Sequence, residues 1–285
     1  MPVPGGPTIR TSNGAATARQ SKKLDEKESS HAVSPAAHAI MAAMTGFRTL
    51  WAALVGMYDD TLVMIGGNVA ALVLNVPVYV VLLVIVDAAT GEAPETLVLA
   101  ILATFMVFLP TPGNLALAGV AQAAAGADVA RLRLLTETLR ARWGIAWRCT
   151  LVSVVVLIAL LWNVVFYLNL EATWALPVAL LWIYGTIVWL SLHIYVVPLA
   201  VHVARPRVLD LYRRAVFVAL GHAVFTFVLL VLLLIVTFVS VVFLPIYVLA
   251  GQSFVSLAQA HALREIRRRH GDLAAEPEEE GVGRT

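Results

Sequence analysis

TLVSVVVLIALLWNVVFYLN, residues 150–169, decides the fold: it runs for twenty residues without a charge. A helix needs about 20 apolar residues to cross a hydrocarbon core roughly 30 Å thick. Working outward, residues 61–86, 97–125, 174–203, 215–240 and 242–262 meet the same requirement. The last two are nearly contiguous, but a single helix over both would be about 70 Å long, and Pro245 and Gly251 suit a hairpin between them. The apolar runs are continuous, without the alternation of a β-barrel strand. The whole chain agrees: of 285 residues, 60% are hydrophobic and 13% charged, against roughly 25% charged in a soluble domain, and the mean hydropathy is +0.84. The expected fold is an all-α, polytopic transmembrane bundle of six spans.

Lysine and arginine favour cytoplasmic loops, and their placement gives the expected sidedness. Residues 1–60 carry Arg10, Arg19, Lys22, Lys23, Lys27 and Arg48. Arg131, Arg133, Arg140, Arg142 and Arg148 follow the second span; Arg205, Arg207, Arg213 and Arg214 follow the fourth; Arg264, Arg267, Arg268, Arg269 and Arg284 follow the sixth. These are all 20 of the chain's basic residues. The alternate loops hold only Asp87, Glu92, Glu95 and Glu171. An even number of spans with both termini cytoplasmic sorts the charges in this way.

Residues 1–45 are rich in Gly, Ser, Thr, Ala and Pro without an apolar period, and read as a disordered tail. Residues 271–285 read as a second, acidic one. The six-helix domain occupies 46–270. Two amphipathic pieces lie on the basic side: Phe47, Leu50, Trp51, Leu54 and Tyr58, and Leu132, Leu135, Leu139 and Trp143. Both pair an apolar stripe with Arg, and are expected in the plane of the interface.

No Asp, Glu, Lys or Arg falls within a predicted span, which argues against an ion-driven pump. HExxH, Walker and GxSxG motifs do not occur, so no enzyme activity is expected, and no cofactor or metal. Cys149 is the one cysteine. Neutral polar residues remain, arranged on helix faces. Asn68 and Asn75 lie seven apart in the first span, Asn163 and Tyr167 share a face of the third, and Gln252, Ser256 and Gln259 share one in the sixth. Trp182, Thr186, Trp189 and His193 fall together on the fourth, and His222 and Thr226 are neighbours on the fifth. Together with Asn114, these residues are candidates for a polar cavity at the bundle axis. The other reading is that they hydrogen-bond between helices.

Pro110-Thr111-Pro112-Gly113 divides the second span into two apolar halves, the later one, 114–126, dense in Ala and Gly. Proline releases backbone carbonyls, which at membrane depth must face protein or water. Broken helices mark binding sites in some transporters.

The chain resembles the YesL-like family of bacterial membrane proteins. The resemblance is carried by Phe47–Tyr58 leading to Asp59, Asp60 and Asn68; by the Pro110–Gly113 turn with Leu115, Ala116 and Leu117; by the basic, Trp-containing 132–148 before Asn163 and Tyr167; and by Pro198-Leu199 with Tyr212-Arg213-Arg214-Ala215. In that family the Asn-containing helix runs almost directly into the turn, whereas here a longer stretch separates Asn68 from Pro110. The resemblance implies a multi-pass protein of the bacterial inner membrane, accessory to carbohydrate uptake. Its partners would be the lipid bilayer and an ABC-type sugar permease, with no nucleic acid. The alternative is a transporter of a small neutral solute.

Overall fold

A computed structural model describes residues 35–90, 96–126, 129–204 and 206–269. The chain divides into two units, Met1–Met41 and Ala42–Thr285. The first contributes residues 35–41 to the described set, as the opening turns of a helix.

Ten α-helical segments and one π-helical turn follow in order among the described residues: α1 Pro35–Asp59, α2 Thr61–Thr90, α3 Thr96–Phe108, α4 Pro112–Ala125, α5 Leu132–Leu168, α6 Ala175–His202, α7 Val208–Gly221, α8 Ala223–Val242, the single turn α9 Leu244–Ile246, the π-turn Tyr247–Gly251, and α10 Gln252–Arg269. Five of them are long and apolar enough to cross a membrane: Ala39–Asp59 within α1, Thr61–Ile85 within α2, α5, α6 and α8. The bent pair α3–α4, broken by 55°, makes a sixth when counted as one span.

The bundle is apolar outside. Leu151, Val155, Trp162 and Phe166 of α5, Leu176, Leu180 and Leu181 of α6, and Phe227 and Ile235 of α8 are all more than half exposed. The interior combines large apolar side chains such as Phe108, Tyr195 and Leu230 with small and polar ones, among them Ala116, Ala121, Asn68, Asn75, Ser153 and Gln259. Water would penalise such an outer surface heavily; hydrocarbon does not. The chain is a multi-pass helical membrane protein.

Several boundaries differ from the sequence expectation. The expected N-terminal tail reaches residue 45, but helix α1 begins at Pro35; residues 1–34 and the expected tail 271–285 lie outside the described residues. Segment 132–148 is not a separate interfacial helix. It continues into the third span as the 37-residue α5, because nothing between Arg148 and Thr150 interrupts helical hydrogen bonding. The fifth expected span is broken at His222, whose backbone (φ −129°, ψ 42°) ends α7 and precedes α8. The sixth, 242–262, is divided by α9 and the π-turn, and α10 extends it to Arg269.

Two glycines seat α1. A Cβ on Gly46 would touch Val228 and Leu232 of α8, and one on Gly56 would touch Leu257 and His261 of α10. Hydrogen bonds then tie the start of α10 to α2: Ser253 Oγ donates to the Met64 carbonyl (2.7 Å), while Gln252 Nε2 donates to the Tyr79 hydroxyl (3.2 Å).

Candidate functional site

The interior polarity falls into three networks, and α2 carries two of them. Asn68 and Asn75, seven residues apart, share its buried face.

The first network closes the break between α3 and α4. The Thr111 hydroxyl accepts from the Asn114 amide at 3.3 Å and Pro112 stands in the first turn, a standard start for a helix. The kink interrupts the helical bonding of the carbonyls at the end of α3, where turn bonds remain from the Leu109 amide to Met106 (3.3 Å) and from the Thr111 amide to Leu109 (2.8 Å). Asn114 Nδ2 donates to the carbonyls of Met106 (2.9 Å), Val107 (3.1 Å) and Leu109 (2.8 Å), and the Thr150 hydroxyl donates to the Pro110 carbonyl at 3.0 Å. Asn75 of α2 spans the gap: its Nδ2 donates to Asn114 Oδ1 (3.1 Å), and its Oδ1 accepts from the Gly113 amide (3.1 Å). Gly113 permits this approach; a Cβ there would stand 2.5 Å from Asn75 Oδ1 and collide with the Ala71 carbonyl. The carbonyls of Met106, Val107, Leu109 and Pro110 at the proline turn are thus bonded to protein.

The second network holds the π-turn. Asn68 Nδ2 donates to the carbonyls of Tyr247 (3.1 Å) and Val248 (2.6 Å), and Asn68 Oδ1 accepts from the Ser253 amide (2.8 Å). Nearby, the Tyr79 and Tyr247 hydroxyls pair at 2.6 Å, and Gln252 Nε2 donates to Tyr79. Gln252 Oε1 and, further along α10, Gln259 Nε2 are buried without a hydrogen-bond partner among the described residues. Ser256 is buried on the same helix face.

The third joins α5, α6 and α7. His193 contacts the Trp189 carbonyl through Nδ1 (2.8 Å) and the Ser153 hydroxyl through Nε2 (2.9 Å). Ser153 also meets the Tyr212 hydroxyl at 2.6 Å, and Trp189 stacks on the Tyr212 ring at 5.1 Å. Ser153 and His193 are completely shielded from solvent, so the resemblance to a serine–histidine pair carries no route for a substrate.

Two arginines cap helix ends instead of facing a cavity. Arg142 donates to the carbonyls of Val201 (3.0 Å) and Ala204 (3.3 Å) at the end of α6, and Arg264 donates to the Ala125 carbonyl ending α4. Cations at helix C-termini also complement the helix dipole.

The expected cavity residues therefore separate. Asn75 and Asn114 meet at the break; Asn68 and Gln252 meet around the π-turn; His193 belongs to the third network. Asn163 donates to Ala159 of its own helix (2.7 Å), and Tyr167 packs edge-on against Phe166 and Trp174. His222 sits at the α7–α8 break, and its helical neighbour Thr226 bonds Tyr195 (2.8 Å). Two grooves among the described residues are apolar: about 570 Å³ between Leu54, Tyr58, Thr61, Ile65 and Leu249, and about 370 Å³ between Ile101, Phe105, Leu234 and Phe238. Among the described residues no three His, Cys, Asp or Glu cluster to hold a metal ion.

Among the polar groups, sequence reading passed over Tyr79, Tyr247, Ser153, Thr150 and Ser253, and it named Tyr212 only as part of the resemblance. Ser153 did carry a signal: it is the lone hydroxyl within the run 151–158, LVSVVVLI. No family model, curated protein or solved structure matches this chain.

Proposed function

We propose that the chain is a non-enzymatic accessory protein of a bacterial inner membrane. It crosses six times with both termini cytoplasmic and docks a membrane partner through its basic side, the partner being an ABC-type sugar permease. One observation carries this reading. The polar groups at the broken span, from Asn75 and Asn114 to the carbonyls of Met106, Val107, Leu109 and Pro110, bond one another, so the break braces the bundle and offers no free donors to a solute. The resemblance to the YesL-like family supplies the sugar-uptake context, and the 20 basic residues, all on one side of the six-span topology, supply the docking face.

In this topology α1, although Ala39–Asp59 is long enough to cross, is not one of the six crossings; the sixth is residues 242–262, made of α9, the π-turn and the first turns of α10. Arg48 sits near the middle of α1 and is exposed, and an arginine facing lipid at mid-membrane costs about 2.5–3.5 kcal/mol or more. Affinity purification after mild detergent extraction tests the proposal: a permease should co-elute in stoichiometric amount, and a protein recovered alone under every condition ends the idea.

A second reading, a neutral-solute transporter, is favoured by the unpaired Gln252 Oε1 and Gln259 Nε2 on α10. Each unpaired buried group costs about 1–3 kcal/mol, a cost that a bound polyol or sugar would relieve. It requires flux into liposomes that Gln252→Leu reduces; impermeability to every sugar and polyol tried excludes it.

A further inference from the structure

We infer that α7 is an interfacial helix whose outer face binds anionic phospholipid. The apolar pattern alone merges its second half with the fifth span, but the chain breaks at His222 and leaves 14 residues as an independent helix. At 100° per residue, Leu211, Tyr212, Ala215 and Ala219 fall on one side, and all four are buried against the bundle. Leu209, Arg213, Phe217 and Leu220 fall within about 80° of one another on the opposite side, and the three apolar ones are 65–80% exposed.

The depth of this face is set independently. The Tyr212 hydroxyl bonds Ser153, which lies one turn inside the uncharged run of α5. Arg148 and Trp147 therefore lie between one and two turns outside this level, and Trp143, which meets Trp147 edge to face, lies one turn further; both tryptophans are exposed. Tryptophan and arginine at that depth mark the boundary between acyl chains and headgroups.

Charge selects the occupant. The Arg213 guanidinium lies over the Phe217 ring, 5.8 Å from its centroid, so cation and apolar wedge share one footprint. Arg213 and Arg214 are exposed, and no described carboxylate pairs with them; Asp210, the acidic residue of α7, forms no ion pair with either. A surface that places exposed leucine and phenylalanine beside unpaired guanidinium groups fits a molecule with acyl chains and a net negative phosphate, and a zwitterionic headgroup satisfies it less well.

The test uses the full-length protein in vesicles of equal parts phosphatidylcholine and phosphatidylglycerol, extracted gently, with retained lipid measured by mass spectrometry. The wild type should retain phosphatidylglycerol in excess over the input ratio. Arg213→Gln with Arg214→Gln should lower that excess by roughly fivefold per arginine, while Arg213→Lys with Arg214→Lys should keep most of it and shows that the fold tolerates change here. Arg140→Gln with Arg148→Gln, on α5, should leave it largely intact. Retention at the input ratio, or equal loss from the α5 and α7 pairs, overturns the proposal: the first means that α7 meets bulk lipid or protein, the second that only overall charge matters.

Discussion

Asn75 and Asn114 face each other across the broken second span, joined by a 3.1 Å hydrogen bond from the amide of one to the carbonyl oxygen of the other. Each uses its remaining valence on backbone: Asn75 on the Gly113 amide, Asn114 on the carbonyls of Met106, Val107 and Leu109. The pair stitches a 55° bend to the neighbouring helix.

Removing the centre of that stitch should be costly. Asn114→Leu takes the side-chain donor from three carbonyls, of which those of Met106 and Leu109 keep a backbone N–H and that of Val107 loses its partner, and a loss of about 1–3 kcal/mol is expected from the usual penalty for a stranded buried group. Unfolding followed by intrinsic fluorescence in detergent measures it; a loss below about 1 kcal/mol, the level of an average membrane side-chain hydrogen bond, shows that the bend is held by packing alone.

Two glycines on helices should respond in opposite directions. Gly113→Ala drives a methyl into Asn75 and the Ala71 carbonyl and should destabilise by about 1–3 kcal/mol, as overpacking does. Gly144, within α5, has nothing within 4 Å of its would-be Cβ, so Gly144→Ala should gain about 0.5–1 kcal/mol from helix propensity. Thermal melts of the two variants side by side decide it.

Asn68 and Gln252 meet around the same turn yet differ in what their loss exposes. Asn68→Ala strands the Tyr247 and Val248 carbonyls and the Ser253 amide, and should cost about 2–3 kcal/mol. Gln252→Met gives up one bond to Tyr79 but also removes the unpaired Oε1, and should change stability by less than about 1 kcal/mol. Hydrogen exchange at the amides of 247–253 provides a second readout: protection should collapse in the first variant and persist in the second.

Sidedness has a direct chemical test. In intact cells, a membrane-impermeant maleimide should label Glu171→Cys, between α5 and α6, and should reach Arg207→Cys, before α7, only after permeabilisation. The native Cys149 is fully buried and adds little background. Labelling of Arg207→Cys from outside reverses the orientation.

The third network predicts coupling. Ser153→Ala and Tyr212→Phe break the same 2.6 Å contact, so their combined effect should fall short of the sum of the single effects by about 0.5–1.5 kcal/mol. Strict additivity in a double-mutant cycle removes Ser153 as the link between α5 and α7.

The sequence by itself determined that this chain lives in lipid. Uncharged runs such as 150–169 and 223–242 have no other favourable surroundings, and transfer energy needs no knowledge of neighbours. The break at Pro110–Gly113 was equally legible, because proline acts on its own backbone. Tertiary structure decided which partners the neutral polar groups take. Asn68 meets Tyr247 across a separation of 179 residues, and Asn163, polar and on a regular stripe, bonds only its own helix. It also decided that 132–168 is one helix and that the fifth span divides at His222. Lipid is as apolar as a leucine-rich core, so hydrophobic pattern alone does not separate an inward face from an outward one; hydrogen bonds between helices do, and they exist only once the helices have packed.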